Sequence, residues 1–233
     1  MGVVNQRPIL IASPPRSGTV LLAGLLHHHN VWIGRSRTTS YPGTNPELGV
    51  ENIDIKEIMK REGKKLGYKN WEAVLPAQPK HWNGLKEEIE SFVPEGRQWL
   101  VKTSWTLVLN EFWRQAYPDA LWILPYRSAR AILDSMKRHP GMRKRSDRVK
   151  LAFIKALQIR QSEIKNAMET TVFEYHDMED ILAVDRDVKN SLIVDVKKVS
   201  QKDEEEIERF FNFVNIPINW EAVNKWIEPE RMK

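Results

Sequence analysis

One short segment near the N-terminus carries the residue types that bind a tetrahedral anion. The segment Ser13-Pro-Pro-Arg-Ser-Gly-Thr19 lies between an apolar run and a stretch with helical spacing. Gly18 permits a close backbone approach, and Arg16 supplies a fixed charge with a planar set of donors. The hydroxyls of Ser17 and Thr19 add short-range donors. Because a helix begins with unpaired amides and a positive dipole end, the segment predicts a phosphate or sulfate site. The alternative is a tight turn with a purely structural role.

A second candidate site lies farther along the chain. Arg127 follows the apolar run Ala120–Tyr126, and Ser135 comes eight residues later in a stretch with helical spacing. Ligands of open α/β sheets bind at the carboxyl ends of the strands, so Arg127 can reach the same crevice as the first loop. Two anion sites at one crevice predict a ligand with two anionic groups.

Two familiar ligand sites do not fit the sequence. A Walker A loop needs a Gly-Lys pair with another glycine five positions earlier, but the only such pair, Gly63-Lys64, has Ile58 at that position. A P-loop ATPase or GTPase is therefore disfavoured. The consecutive histidines His27–His29 would point in three directions on a helix, so they cannot converge on one ion, and no metal site is predicted.

The elements that must position these residues alternate between strand and helix. Apolar runs predict strands at Pro8–Ser13, Gln98–Lys102, Ala120–Tyr126, Thr171–Tyr175 and Leu192–Val196. Helical spacing predicts helices at Thr19–His29, Thr106–Ala116, Ala129–Arg138, Asp147 to about Thr170, and Glu204–Val214. This alternation predicts an α/β fold of three layers, with a central, mostly parallel sheet flanked by helices.

The predicted domain organisation is simple. We expect residues 1–233 to form a single domain, since this length suits one α/β core. Segment Gly34–Gly49 is rich in polar residues, glycine and proline, which is typical of a functional loop. We therefore expect residues 34–97 to form substrate-side loops and helices inserted between the core strands.

Composition and charge exclude several classes of protein. Apolar residues make up 41% of the chain and charged residues 29%, as in ordinary globular proteins. The longest apolar run, Val20–Leu26, has seven residues, far fewer than the roughly 20 that span a bilayer. With no cysteine there is no disulfide or thiol chemistry, and we expect a cytoplasmic location. The net charge of +5 favours anionic partners without indicating nucleic acid.

Several of these segments resemble the sulfotransferases that use 3′-phosphoadenosine 5′-phosphosulfate, PAPS. The sequence PPRSGTVLL resembles their 5′-phosphosulfate loop, which is P-loop-like, and RSARAILDS resembles their 3′-phosphate motif, R-D-P-R-x-x-x-x-S. The strand ending in Lys102-Thr-Ser104 is similar to one that ends in Lys-Thr-His in cytosolic members. Leu192–Ile218 resembles the closing strand and helix. The resemblance covers most of the chain, in the correct order.

The sequence also departs from the family pattern. Ser128 and Ala129 replace an acidic residue and a proline, and Leu21 stands where cytosolic members place an adenine-stacking tryptophan. No Arg-Lys-Gly phosphate loop occurs near the C-terminus, and Ser104 replaces the histidine of Lys-Thr-His.

The resemblance implies a donor, a reaction and a set of binding residues. The donor is PAPS, the product is 3′,5′-diphosphoadenosine, and the sulfuryl group passes to a hydroxyl or amine of a small-molecule, carbohydrate or peptide acceptor. No metal is required. The residues implied to bind the donor are Pro15, Arg16, Ser17, Gly18, Thr19, Val20, Arg127 and Ser135.

The resemblance also implies catalytic roles. Arg16 and Lys102 stabilise the charge that develops on the leaving phosphate oxygen. A serine cannot accept a proton as an imidazole does, so Ser104 is not the base, and Glu47 is the preferred candidate, followed by His81. Trp71 and Trp82 are candidates for an aromatic acceptor pocket.

Some interpretations stay open on the sequence alone. Arg143, Lys144 and Arg145 supplement the phosphate site or form a solvated loop. The alternatives to a sulfotransferase are a nucleotide or small-molecule kinase with an unusual anion loop, and a catalytically silent PAPS-binding protein.

Overall fold

The computed structural model describes residues 7–36, 50–67, 82–139, 142, 146–166, 187–188 and 190–227. Among these residues, no helix is both long enough and apolar enough to cross a membrane. The described parts of the inserted region 34–97 contain two helices, so helical structure does occur between the first and second core strands.

A five-stranded sheet forms the centre of the fold. Its strands are β1 (Ile9–Ile11), β2 (Leu100–Lys102), β3 (Leu121–Tyr126), β4 (Asp187–Val188) and β5 (Ser191–Asp195). The order across the sheet is β2-β1-β3-β5-β4, and β4 is the one antiparallel member. The strand order reverses between β1 and β3, which makes their carboxyl ends the crevice where ligands of open α/β sheets bind.

Ten helices are described around this sheet. They are α1 (Thr19–His28), α2 (Ile53–Lys65), α3 (Leu85–Glu90), α4 (Trp105–Val108), α5 (Asn110–Ala116), α6 (Ala129–Arg138), α7 (Asp147–Asn166), α8 (Val196–Ser200), α9 (Glu204–Val214) and α10 (Trp220–Trp226). The α/β class with a mostly parallel sheet, predicted from strand and helix alternation, is confirmed.

Individual elements differ from the sequence prediction in informative ways. The helix predicted at Thr106–Ala116 is two helices, because Leu109 has φ −108° and ψ 35°, outside the helical range. The strand predicted to reach Val196 ends at Asp195, since that carboxylate caps α8 by accepting from the amides of Lys197 and Lys198. Helix α10 was not predicted, and the strand predicted at Thr171–Tyr175 lies outside the described residues.

The sheet buries both of its faces, and alternate residues of each strand divide between them. Leu10 packs with Trp122 in the apolar cluster that α2, α3, α4, α5 and α7 cover. Ile9 and Ile11 point the other way, into the cluster covered by α1, α8, α9 and α10. Side chains in a strand alternate with a period of two, so continuous apolar strands require helices on both sides. The tryptophans predicted to be core, Trp99, Trp113 and Trp122, are fully buried.

One polar side chain holds the carboxyl ends of β1 and β3. Gln161 of α7 is 1% exposed, and its amide Nε2 donates to the carbonyl oxygens of Ala12 at 2.9 Å and Pro125 at 3.2 Å. The carbonyl oxygen of Ile123 accepts a hydrogen bond from the amide of Ala12. Backbone groups two residues apart in a strand face the same side, so the carbonyl of Pro125 also faces β1, at the point where β1 has ended. A proline, which has no N–H, is tolerated there, and Gln161 satisfies its carbonyl.

We expect Gln161→Leu to lower the free energy of unfolding by about 1–3 kcal/mol, because two buried carbonyl oxygens lose their donor. Chemical denaturation measures this loss. The matched control is Gln115→Leu, since Gln115 is an exposed glutamine whose amide contacts only the side chain of Glu111 on its own helix. Equal stabilities of the two variants would contradict the role of Gln161.

Helix α1, which begins at the anion loop, is fixed by a close contact with α10. The indole of Trp226 lies over Gly24, where a Cβ atom would come within 2.0 Å of the ring, and its Nε1 donates to the carbonyl of Leu21 at 2.9 Å. Only a glycine leaves room for this approach.

Gly24→Ala is therefore expected to lower the melting temperature, although the same change inside an exposed helix stabilises by about 0.5–1 kcal/mol. Thermal denaturation gives the sign. The double variant Gly24→Ala, Trp226→Leu should lose less stability than the sum of the two single changes, because leucine leaves space for the added methyl group. A higher melting temperature for Gly24→Ala would refute the packing argument.

Candidate functional site

The loop between β1 and α1 has two residues in the left-handed backbone region. Arg16 has φ 70° and Gly18 has φ 85°. A Cβ atom at Gly18 would lie 2.2 Å from Cγ1 of Val196, so glycine is required there by both conformation and space. A non-glycine residue in this region costs about 1 kcal/mol or more, and such strain is concentrated at functional sites.

The serine of the loop holds the turn together. Ser17 is fully buried, and its hydroxyl donates to the carbonyl of Pro14 at 2.7 Å. Pro15, Thr19 and Val20, which were also predicted to bind the donor, lie half-buried in the loop and the first turn of α1. That first turn presents amides that have no acceptor within the helix. The loop thus offers backbone donors, with the Ser17 hydroxyl stabilising their arrangement.

The structure brings the two predicted anion sites into direct contact. Nε of Arg16 donates to Oγ of Ser135 on α6 at 3.1 Å. The guanidinium of Arg127, just after β3, donates from Nη1 to the carbonyl oxygen of Arg16 at 3.0 Å. Residues separated by more than a hundred positions therefore meet at the crevice between β1 and β3. The sequence predicted that they share a crevice, and the structure shows that they touch.

Positive charge accumulates at this crevice. Burial lowers the pKa of Arg16, and the charges of Arg127 and Arg138 lower it further. Burial and then the charge of Arg138 likewise lower the pKa of Arg127. A guanidinium group is not deprotonated in proteins, so Arg16 and Arg127 keep their charges near neutral pH. Like charges held this close repel one another, and a bound anion would relieve that repulsion.

Helices α6 and α7 fix the position of Arg127. Ser128, which replaces the acidic residue of the family motif, caps α6 by accepting from the amide of Ala131 at 3.3 Å. Nε2 of Gln158 on α7 donates to the carbonyl of Arg127 at 3.3 Å. The departure from the motif at Ser128 therefore preserves the start of the helix that presents Ser135.

Lys102 occupies the end of β2, next to β1. Its side chain is half-buried, and this burial lowers the pKa of its ammonium group. The negative charge of Glu51 raises that pKa, whereas the positive charges of Lys56 and Arg16 lower it. Glu51 forms an ion pair with Lys56, with Oε2 and Nζ 2.5 Å apart. Lys102 thus lies in the electrostatic field of Arg16, as expected for two groups that act on one anion.

Other predicted residues fall outside the site or outside the described chain. Glu47, His81, Trp71 and the basic residues 143–145 lie outside the described residues. Trp82 packs edge-on against Phe112 of the core, with ring centroids 5.3 Å apart.

His29, at the end of α1, uses its imidazole ring within the fold. Nδ1 of His29 lies 2.7 Å from the carbonyl oxygen of Leu25, and Nε2 accepts from the amide of Asn219 at 2.9 Å. Both ring nitrogens are therefore used within the fold. Within the described ranges, no three histidine, aspartate or glutamate side chains are grouped to hold a metal ion.

Three residues near the site were not singled out from the sequence: Gln161, Arg138 and Glu51. Gln161 carried a signal, since it is a polar residue on the helical face that Leu157 and Ile164 bury. Arg138 also carried one, since it follows Ser135 by three residues and so shares its helix face. Nothing in the local sequence marks Glu51, because its proximity to Lys102 depends on how α2 packs.

Comparison with known proteins identifies the fold. No family model matches the sequence, and no curated protein matches it either. Solved structures do match. A sulfotransferase domain from the curacin biosynthetic pathway has a TM-score of 0.55 at 14% identity, and the match covers 98% of this chain and 80% of that one. The sulfotransferase domain of the Synechococcus PCC 7002 olefin synthase has a TM-score of 0.51 at 15% identity, with the same coverage of 98% and 80%. A sulfotransferase from Mycobacterium avium has a TM-score of 0.53 at 13% identity, covering 96% of this chain and 67% of that one. This chain has the sulfotransferase fold.

Proposed function

We propose that this protein is a PAPS-dependent sulfotransferase that transfers a sulfuryl group to a hydroxyl or amine. The observation that carries the proposal is the contact network of Arg16, Arg127 and Ser135 at the β1–β3 crevice. In sequence these residues belong to the two motifs that resemble the 5′-phosphosulfate and 3′-phosphate sites. In space they are in direct contact, which supports one continuous binding surface for a nucleotide with anionic groups on both sides of its ribose.

The residues present fit such a donor. Arg127 and Ser135 would hold the 3′-phosphate, and the loop from Pro15 to Val20 would hold the 5′-phosphosulfate through its amides and Arg16. Because Arg16 contacts Ser135, its guanidinium lies at the boundary between the two groups. This arrangement supports recognition of a nucleotide with a 3′-phosphate rather than one whose phosphates form a single chain.

Bound PAPS would supply the sulfuryl group: the acceptor oxygen or nitrogen bonds to sulfur as the bond from sulfur to the 5′-phosphate oxygen breaks, and that oxygen keeps the electron pair. Arg16 and Lys102 would stabilise the charge that develops there, as positively charged side chains do in phosphoryl transfer. With two cations acting on the phosphate, no proton would need to reach it.

The acceptor must lose a proton, and a carboxylate or an imidazole near the crevice would take it. Glu47 and His81 stay predictions for this role. Among the described residues Glu51 is a further candidate, because its charge acts on the Lys102 ammonium group. The acceptor side would be formed by the inserted region that contains α2 and α3.

Arg127→Ala is expected to weaken binding of 3′,5′-diphosphoadenosine by about 10-fold or more, since a charge-assisted hydrogen bond contributes about 1.5–3 kcal/mol. Adenosine 5′-phosphosulfate, which has no 3′-phosphate, should lose less affinity, because for this ligand the variant removes only the hydrogen bond from Arg127 to the Arg16 carbonyl. Isothermal titration calorimetry measures both affinities. The control is Arg114→Ala, since Arg114 is an exposed arginine on α5. Helix α5 leads into the amino end of β3, whereas the candidate site lies at the carboxyl ends of the strands.

Two results of the same titrations would overturn the proposal. Equal losses for both ligands would show that Arg127 does not bind the 3′ group. Tighter magnesium-dependent binding of ADP than of 3′,5′-diphosphoadenosine to the wild-type protein would favour a kinase. Transfer of radiolabelled sulfate from PAPS to a panel of alcohols and amines then separates an enzyme from a silent binder.

Lys102→Met should make the protein more stable near pH 7 while abolishing most sulfuryl transfer. Burial lowers the pKa of Lys102 in the folded state, so the charged lysine disfavours folding below that pKa. The penalty fades as the pH rises through the lowered pKa and is gone above the usual lysine value of about 10.4. The stability advantage of Lys102→Met should therefore shrink between pH 7 and pH 11, as measured by thermal denaturation.

The matched control is Lys155→Met, because Lys155 is an exposed lysine on α7. It should leave both the melting temperature and its pH dependence nearly unchanged. A Lys102→Met variant that is less stable than the wild type at pH 7 would show that the lysine stabilises the fold instead.

A further inference from the structure

Arg138 is the last residue of α6, three positions after Ser135. Residues three apart lie on the same face of a helix, one turn from each other. Ser135 is 4% exposed and contacts the guanidinium of Arg16, so this face of α6 forms one wall of the crevice. Arg138 itself is exposed, which leaves its long side chain able to reach a ligand held against Ser135.

The charge of Arg138 is felt across the crevice. It lowers the pKa of Arg16 and the pKa of Arg127, which approach from β1 and β3. It therefore lies within electrostatic reach of both guanidinium groups. Arg138 therefore acts on both arginines of the site from the helix that carries Ser135.

The described carboxylates nearby are engaged with other cations. Asp134 pairs with Arg130 on α6, at 3.5 Å between Oδ2 and Nε. Asp147 at the start of α7 pairs with Lys137, at 2.7 Å between Oδ2 and Nζ. Within the described part of the chain, no carboxylate forms an ion pair with Arg16, Arg127 or Arg138.

Uncompensated like charges are unfavourable in a folded protein, so a cluster of three needs a reason. A phosphate monoester carries a charge of about −1.5 to −2 near neutral pH and offers three acceptor oxygens, which matches a serine hydroxyl and several guanidinium groups. Lys137 and Arg130, the other cations of α6, are paired with carboxylates. Arg138 is the α6 cation that the described residues leave for a ligand.

We propose that Arg138 is a further residue that binds the sulfuryl donor, and that it holds the 3′-phosphate together with Arg127 and Ser135. The inference rests on the proposed function, and it adds a determinant of selectivity for nucleotides that carry a 3′-phosphate. The face shared with Ser135 assigns Arg138 to the 3′ group rather than to the 5′ chain.

The test compares 3′,5′-diphosphoadenosine with adenosine 5′-monophosphate by isothermal titration calorimetry. Arg138→Gln should weaken binding of 3′,5′-diphosphoadenosine by about 10-fold or more and change binding of the monophosphate by less than about 3-fold. Arg138→Lys, which keeps the charge and loses the planar donors, should fall between the wild type and Arg138→Gln. The control Lys137→Gln lies on the same helix outside the 3′-phosphate motif, is exposed and pairs with Asp147, and it should bind both ligands as the wild type does.

The outcomes separate this inference from the proposed function. If the wild-type protein binds 3′,5′-diphosphoadenosine and Arg138→Gln binds it equally well, the role of Arg138 is refuted and the proposed function stands. If the wild-type protein does not bind it, the proposed function fails and this inference fails with it. Equal losses for the two ligands would move Arg138 to the 5′ group. A loss of 3′,5′-diphosphoadenosine binding in Lys137→Gln as large as that in Arg138→Gln would show a general effect of helix charge. Either result contradicts the assignment.

Discussion

The hydrogen bond from the guanidinium of Arg127 to the carbonyl oxygen of Arg16 is the interaction on which the site depends. It links the residue after β3 to the loop after β1, across the point where the strand order reverses. Arg16 adopts a left-handed backbone conformation there, so its side chain can turn to Ser135 while its carbonyl faces Arg127. One strained residue thus connects the two halves of the anion-binding surface.

The rest of the crevice supports this contact without neutralising its charge. Gln161 satisfies the carbonyl groups of Ala12 and Pro125, and Gln158 satisfies that of Arg127, each through a neutral amide. Neutral donors fix the strand ends while the guanidinium charges stay available for a ligand. A carboxylate in the place of either glutamine would pair with these guanidinium groups and so compete with the anion that we propose they bind.

The layered architecture explains why the chain can keep so much positive charge at one edge. Both faces of the sheet are buried in separate apolar clusters. The burial of these clusters stabilises the fold enough to offset the repulsion among the arginines. Stability and charge oppose each other at Lys102. Burial disfavours its ammonium charge, and the positive charge of Arg16 disfavours that charge further. Such opposition is typical of groups that work on charged substrates.

The sequence by itself determined the α/β class and the strands at β1, β2 and β3, because strand and helix periodicity is a local property. The chemistry of Arg16, Gly18 and Arg127 is local too, so the residue types proposed to bind the anion could also be read from the sequence. It did not determine which groups touch. The contact of Arg16 with Ser135, the bridge made by Gln161 and the charge of Glu51 near Lys102 join segments far apart in the chain. The break at Leu109 and the early end of β5 at Asp195 were not predicted either, because apolar spacing continues through both positions. Local patterns fix what each segment can do, and only the packing of α6 and α7 against the sheet fixes which side chains meet.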